Sequence, residues 1–282
     1  MRSPVTLTKS ARTFTCALAL ASSALLAEDK TDIEYGKAGN VSLRLDAHVP
    51  DGSGPFPMAL VVHGGGWSSG DRHQGIPTTA ESLTKANFTW FSIDYRLAPT
   101  NRWPACFADV QTAIRWVKAH ASEYKGDPRR LALVGYSAGG QLTCLAAVSA
   151  KEDTQVQAVV GFAPPTDMEA DTVRRGGLSP SLQALFGHTA VDDQTRPLLR
   201  EMSAINFVKP GLPPFLLIHG DADKSVPYEQ SLRFQAKLKE NAVPCELIVI
   251  KGAPHRITDW SKFDTTYQPH MIAWLEANLA AK

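Results

Sequence analysis

Short apolar strands that alternate with amphipathic helices restrict this fold more than any other feature of the chain. Met58–Val62 is a continuous apolar run of the kind a strand buried on both faces shows. Thr89–Ile93, Leu131–Val134, Ala158–Phe162, Pro214–Ile218 and Cys245–Ile250 read as further strands. Between them, Ala105–His120 is helical, with Val110, Ile114 and Val117 at helical spacing. Gln141–Ala150, Glu229–Glu240 and Gln268–Ala280 read as helices too. Such alternation predicts a mostly parallel α/β sheet with helices on both faces. Upstream, Asp32–Tyr35 and Val41–Val49 flank the turn over residues 36–40 and read as an antiparallel edge.

Residues 164–213 break the rhythm. Pro164-Pro165, Gly176-Gly177 and Pro180 punctuate this stretch, and only Leu182–Phe186 reads as helical. An insertion of this size at the end of a sheet strand predicts a lid rather than a second domain. The remaining sequence, residues 28–282, reads as one domain, large enough for a substantial core.

Residues 1–27 are set apart. Arg2, Lys9 and Arg12 precede an apolar run from Phe14 to Ala27, and no acidic residue occurs before Glu28. That is the pattern of a secretory signal, with cleavage expected after Ala27 or Ala24, so an exported protein is expected. Its removal leaves 26 basic against 28 acidic residues, a net charge of −2. The full chain carries 29 Lys+Arg and 28 Asp+Glu, so no basic excess exists to drive nucleic-acid binding. No run of 18 apolar residues appears, so no stable membrane insertion is expected after leader removal. Beyond Cys16, the cysteines are Cys106, Cys144 and Cys245, too few for a disulfide scaffold and without metal-ligand spacing, although two of them pairing stays open.

The chemistry concentrates in the loops that follow strands. Gly135-Tyr136-Ser137-Ala138-Gly139 joins the strand Leu131–Val134 to a helix. A serine on so tight a turn needs small neighbours, and the helix N-terminus offers amide donors to developing negative charge. A bare match arises by chance in about one chain in ten of this size, so its strand–turn–helix setting carries the weight. At the end of Met58–Val62 stands His63-Gly64-Gly65-Gly66-Trp67. Its glycines let backbone N–H groups face a pocket and form an oxyanion hole with the amide of Ala138, while His63 reads as a structural support of the loop. A serine nucleophile needs a base, and the base needs an orienting acid. His255 follows the last strand, whereas His188 lies in the insertion and His270 in the final helix. Asp221 and Asp223 both follow Phe215–Ile218, and spacing alone does not choose between them. Asp94 comes too early in the chain for this role, and Asp109 sits on a helix.

These motifs together resemble an α/β-hydrolase of the esterase/lipase, hormone-sensitive-lipase-like group. His63-Gly64-Gly65-Gly66, Asp94-Tyr95-Arg96-Leu97-Ala98-Pro99 and the Ser137 turn carry that resemblance. Trp67, Trp103-Pro104-Ala105 and the loop from His219 to Pro227 are similar to bacterial acetylxylan and feruloyl esterases of this fold. The resemblance covers residues from about 55 to 280, and residues 202–205 depart from the Ser-Pro that the family often has there. It implies Ser137 as nucleophile, Asp223 as acid, His255 as base, and Gly65, Gly66 and Ala138 as oxyanion donors. It also implies hydrolysis of short acyl esters, acetyl or feruloyl, on plant-wall carbohydrate such as xylan, with neither metal nor organic cofactor. Trp67 reads equally as a platform for sugar or aromatic acyl groups and as a plain pocket wall. The competing expectations are a general short-chain carboxylesterase, an amidase or peptidase using the same triad, and, most remotely, a noncatalytic binding module.

Overall fold

The computed structural model describes residue 1, residues 26–73 and residues 77–281. Most of the expected leader, residues 2–25, lies outside the described residues, as does Cys16. Eight strands form a single sheet: β1 (Glu28–Ala38), β2 (Val41–Val49), β3 (Phe56–Val62), β4 (Thr89–Ile93), β5 (Gly126–Tyr136), β6 (Ala158–Phe162), β7 (Phe215–Gly220) and β8 (Cys245–Ile250). Their spatial order is β1-β2-β4-β3-β5-β6-β7-β8. The β1–β2 and β2–β4 pairs are antiparallel, and every other pair is parallel. β1 and β2 meet through the two-residue turn Gly39-Asn40, where Gly39 has φ +61° as a tight hairpin requires. This is the α/β-hydrolase arrangement expected above.

Side-chain alternation along the central strands divides the core into two clusters. Met58, Leu60, Val62, Leu131 and Leu133 belong to one, together with Val110, Ile114 and Val117 of helix α2 (Ala105–His120) and Phe234 and Leu238 of helix α7 (Glu229–Glu240). Ala59, Val61, Ala132, Val134 and Val160 belong to the other, with Leu83 of helix α1 (Pro77–Lys85) and Met271 and Leu275 of helix α8 (Tyr267–Asn278). Helix α3 (Ala138–Val148) is buried along its whole length. Such a helix needs apolar residues on every face or partners for its polar ones; Ala and Leu supply most of it, and buried Gln141 and Thr143 are both hydrogen-bonded. It begins three residues earlier than its apolar pattern indicates, because the helix starts directly at the Ser137 turn.

The insertion holds more structure than its sequence suggests. Besides helix α5 (Pro180–Phe186), it contains helix α4 (Met168–Arg175) and helix α6 (Thr195–Met202). α4 has few apolar residues and stands on its ends: the Asp167 carboxylate accepts from the Ala170 amide at 2.9 Å, and Gly176 closes it in the left-handed conformation. Cys106, Cys144 and Cys245 are all free thiols, so no disulfide forms among the described residues. Among the described residues, no helix is long and apolar enough to cross a membrane.

Candidate active site

The end of β5 delivers the chain into a strained turn. Ser137 adopts φ 54° and ψ −117°, a conformation that costs a non-glycine residue about 1–3 kcal/mol. Its amide donates to the Phe162 carbonyl at 2.8 Å, and its carbonyl accepts from the Gln141 amide at 2.9 Å. Both flanking glycines are sterically obligatory. A Cβ on Gly135 would stand 2.3 Å from the Gly139 carbonyl oxygen, and one on Gly139 would stand 2.2 Å from that of Val62. The turn is therefore packed backbone to backbone on the end of β3, where the glycine loop begins.

That loop rests on the segment after β4. The Tyr95 ring stacks on His63 with centroids 4.2 Å apart, and its hydroxyl donates to the His63 carbonyl at 3.1 Å. Burial pushes the Tyr95 phenol well above its ordinary pKa, which keeps it a donor. The Ala98 amide donates to the Trp67 carbonyl at 2.9 Å, and Arg96 pairs with the buried Asp109 at 2.7 Å. Asp94 accepts from the Arg72 amide at 2.8 Å and also pairs with its guanidinium. Asp94-Tyr95-Arg96-Leu97-Ala98-Pro99 is thus the support of the glycine loop, and both its aspartate and Asp109 are committed to arginines. His63 is a structural residue: its Nδ1 lies 2.6 Å from the Gly64 carbonyl and so carries the proton. Burial lowers its pKa and favours the neutral ring. Its buried Nε2 has no partner among the described residues.

Ser137, His255 and Asp223 come together at the carboxyl edge of the sheet. His255 Nε2 is 2.9 Å from Ser137 Oγ, and His255 Nδ1 is 2.6 Å from Asp223 Oδ2. His255 is held from two sides of its loop: the Tyr136 hydroxyl donates to the His255 carbonyl at 2.9 Å, and the Trp260 indole N–H donates to the Pro254 carbonyl at 2.7 Å. Asp223 is buried, and burial opposes its ionisation. Hydrogen bonds from His219 and His255, with the Ser225 and Val226 amides at 2.8 and 2.9 Å on Oδ1, outweigh this and hold its carboxyl well below the usual range. It is an anion throughout the neutral range.

His219, at the start of the same loop, supports Asp223 from the other side. Its Nε2 is 3.0 Å from the Val226 carbonyl and 3.3 Å from Asp223 Oδ2, and both are acceptors. Nε2 therefore carries the proton, and Nδ1 accepts from the Ser231 hydroxyl at 2.7 Å. In the sequence its signal is a histidine at the end of a buried strand, four residues before Asp223. Asp221 instead accepts from the Gly252 amide at 2.6 Å and ties the β7 and β8 loops together. His270 is exposed and pairs with Glu246 at 2.6 Å, and neither it nor His188 lines the cavity that holds Ser137.

That cavity has a volume of ≈ 630 Å³, and Ser137, His255, Gly65, Gly66, Ala138 and Trp67 all line it. Met168, Arg175, Ser181 and Leu182 of the insertion complete its wall. Gly65 and Gly66 have φ +112° and +59°, and a Cβ on Gly65 would stand 2.0 Å from the Ser69 carbonyl oxygen. Only glycine fits there. Trp67 is 5% exposed, which leaves little ring surface for stacking and suits a wall. A second cavity of ≈ 640 Å³, lined by Asp127, Arg129, Gln157 and Lys209 among others, contains none of the triad residues.

Comparison with known proteins places this geometry in context. Esterase LipC of Mycobacterium tuberculosis is 34% identical over 66% of this chain and 49% of its own. The chain spans about half the length of the curated relatives it matches first. The crystal structure of an acetyl ester-xyloside bifunctional hydrolase from Caldicellulosiruptor lactoaceticus superposes with a TM-score of 0.75 at 26% identity, covering 88% of this chain and 96% of that one. A propionate-bound esterase of Thermogutta terrifontis gives 0.71 at 27% identity, over 91% and 96%. The BD-FAE family profile matches residues 45–238. With the serine turn, the glycine loop and its Tyr95 support inside that match, the chain belongs to the BD-FAE family of esterase/lipase α/β-hydrolases.

Proposed function

We propose that the protein is a serine carboxylic-ester hydrolase that acts through an acyl-enzyme on short acyl esters. The observation that carries this reading is the unbroken chain Ser137 Oγ–His255–Asp223, at 2.9 and 2.6 Å, opening into a cavity lined by Gly65, Gly66 and Ala138. Among the described residues, no hydrogen bond engages the amides of those last three, which leaves them for an oxyanion. His255 Nε2 takes the Ser137 proton as Oγ attacks the ester carbonyl, and the oxyanion is held by the three amides. His255 then gives that proton to the departing alcohol. A water enters, His255 takes its proton, and the hydroxide oxygen attacks the acyl-enzyme. Collapse of this second intermediate releases the acid and returns the proton to Ser137. Asp223 stays ionised throughout, fixes the proton on His255 Nδ1 and stabilises the imidazolium.

Acetyl groups, and feruloyl groups as a second choice, on plant-wall carbohydrate such as xylan are the proposed substrates. The likeness to a hydrolase of acetyl esters and xylosides, and to an esterase that holds propionate, supports short acyl groups. The basic and apolar pattern of residues 1–27 supports export to where such polymers are met. The test is acid release from acetylated, feruloylated xylan oligosaccharides, with Ser137→Ala as the blank. Acetate or ferulate released only by the wild type supports the carbohydrate reading. Turnover of a small aryl acetate without release from xylan would keep the serine esterase and remove xylan. Cleavage of a matched amide as fast as the ester would favour an amidase.

A further inference from the structure

Gln141 is fully buried on α3, four residues beyond Ser137, and its backbone amide and both side-chain polar atoms engage three different parts of the site. Its backbone amide donates to the Ser137 carbonyl at 2.9 Å. Its side-chain oxygen accepts from the Trp67 indole N–H at 3.0 Å, and its side-chain nitrogen donates to the Met202 carbonyl at 2.8 Å. Met202 is the last residue of α6, so a single side chain links the glycine loop to the far end of the insertion. Trp67 follows Gly66 directly and has φ +58°, a conformation that a non-glycine residue holds only when its surroundings enforce it.

We propose that Gln141 is a positioning residue for ester hydrolysis. The Trp67–Gln141–Met202 relay fixes the orientation of the Gly66–Trp67 peptide, and with it the oxyanion amides, and makes that orientation depend on the insertion being seated. The proposal rests on the serine-esterase reading. Removing the amide while keeping the volume leaves the Trp67 N–H and the Met202 carbonyl unpaired in a buried place, so the loop shifts to satisfy them. Catalysis is sensitive to such shifts, because oxyanion donors act only when aligned with the transition state, and displacements near 1 Å cost about 100-fold. A residue that only stabilised the fold would lower thermal stability and leave the turnover of folded enzyme alone.

The experiment compares wild type, Ser137→Ala, Gln141→Met, Trp67→Phe and the Trp67→Phe/Gln141→Met double variant on an aryl acetate, with folding checked by thermal melting. A trifluoromethyl ketone serves as transition-state mimic. In Gln141→Met, kcat is expected to fall about 10- to 100-fold with KM changed less than about threefold, and ketone binding is expected to weaken in parallel with kcat. The double variant is expected to be little worse than Gln141→Met, as for two parts of one unit. Wild-type kcat in folded Gln141→Met, a loss residing wholly in KM, or multiplicative effects in the double variant would each overturn the proposal. If Gln141→Met does not fold, Trp67→Phe decides: a loss confined to kcat supports the relay, and an unchanged kcat overturns it. Ser137→Ala that turns over like wild type would overturn the serine reading and this proposal together. A dead Ser137→Ala beside an unimpaired Gln141→Met overturns the relay alone.

Discussion

The carboxyl edge of the sheet and the insertion over residues 164–213 line the same cavity, yet they are held by different forces. At the sheet edge backbone packs on backbone: Gly139 lies against the Val62 carbonyl, Gly65 against Ser69 and Gly135 against Gly139. The insertion is seated by side chains instead: Met168, Leu182, Leu185, Phe186, Leu199 and Met202 join the core, while Asp167 and Ser179 cap α4 and α5, Asp171 gathers Arg174 and Arg175, and Glu169 meets Arg200. Backbone-on-backbone fit tolerates almost no replacement, whereas side-chain packing and charged pairs accept exchange for groups of similar volume and charge. Ser137 and the glycine loop thus sit on the sterically fixed edge, and the cavity wall from Met168, Arg175, Ser181 and Leu182 sits on the more exchangeable side.

The largest effect expected from this contrast lies in the triad. Ser137→Ala should lower kcat by about 10⁴-fold or more, measured on an aryl acetate. Asp223→Asn should cost about 10³–10⁴-fold, because the amide no longer fixes the histidine tautomer. Asp221→Asn should stay within a few-fold of wild type, since an amide oxygen still accepts from Gly252. The reverse order would move the acid to Asp221.

Acidity sharpens the same point. The folded-state pKa of Asp223 is depressed, so its contribution to stability is complete above the unfolded carboxylate value of about 3.9 and is lost as pH falls beneath it. The stability difference between wild type and Asp223→Asn should therefore shrink on acidification below about pH 4, followed by urea melts at each pH.

Matched glycine substitutions probe the two regions directly. Gly139→Ala drives a Cβ into backbone and should destabilise by about 3 kcal/mol or abolish folding. Gly177→Ala meets nothing within 4 Å, so only the strain of its φ of +156° opposes it, and denaturant melts should show a loss of about 1–2 kcal/mol with folding intact. Equal losses would remove the distinction between the regions. The smallest effect belongs to Arg175→Gln in the cavity wall. It loses a part-buried pair with Asp171 and a bond to the Ser225 carbonyl, and should change KM about two- to fivefold with kcat nearly intact.

The same division governs what the sequence discloses. The buried strands are legible because continuous apolar runs admit few other structures, and the glycine loop and serine turn are legible because only small residues fit where backbones touch. Helix α4 escapes notice because its ends and ion pairs, rather than an apolar stripe, hold it, and α6 because its apolar face is only two turns long, with Leu199 and Met202 reaching the core. Gln141 and His219 escape for a related reason: each is a polar residue inside an apolar element, and only its partners across the fold, Trp67, Met202 and Asp223, give it meaning. Asp221 and Asp223 are two residues apart on one loop, and the bond to His255 Nδ1 distinguishes them.

The central claim is that Ser137 is a nucleophile activated by His255. A fluorophosphonate that marks activated serines, with the labelled peptide identified by mass spectrometry, tests it most directly. One label per folded chain, on Ser137 and absent from Ser137→Ala and His255→Ala, is the predicted result. A folded wild-type protein that takes no label, or takes it on another serine, would contradict the account.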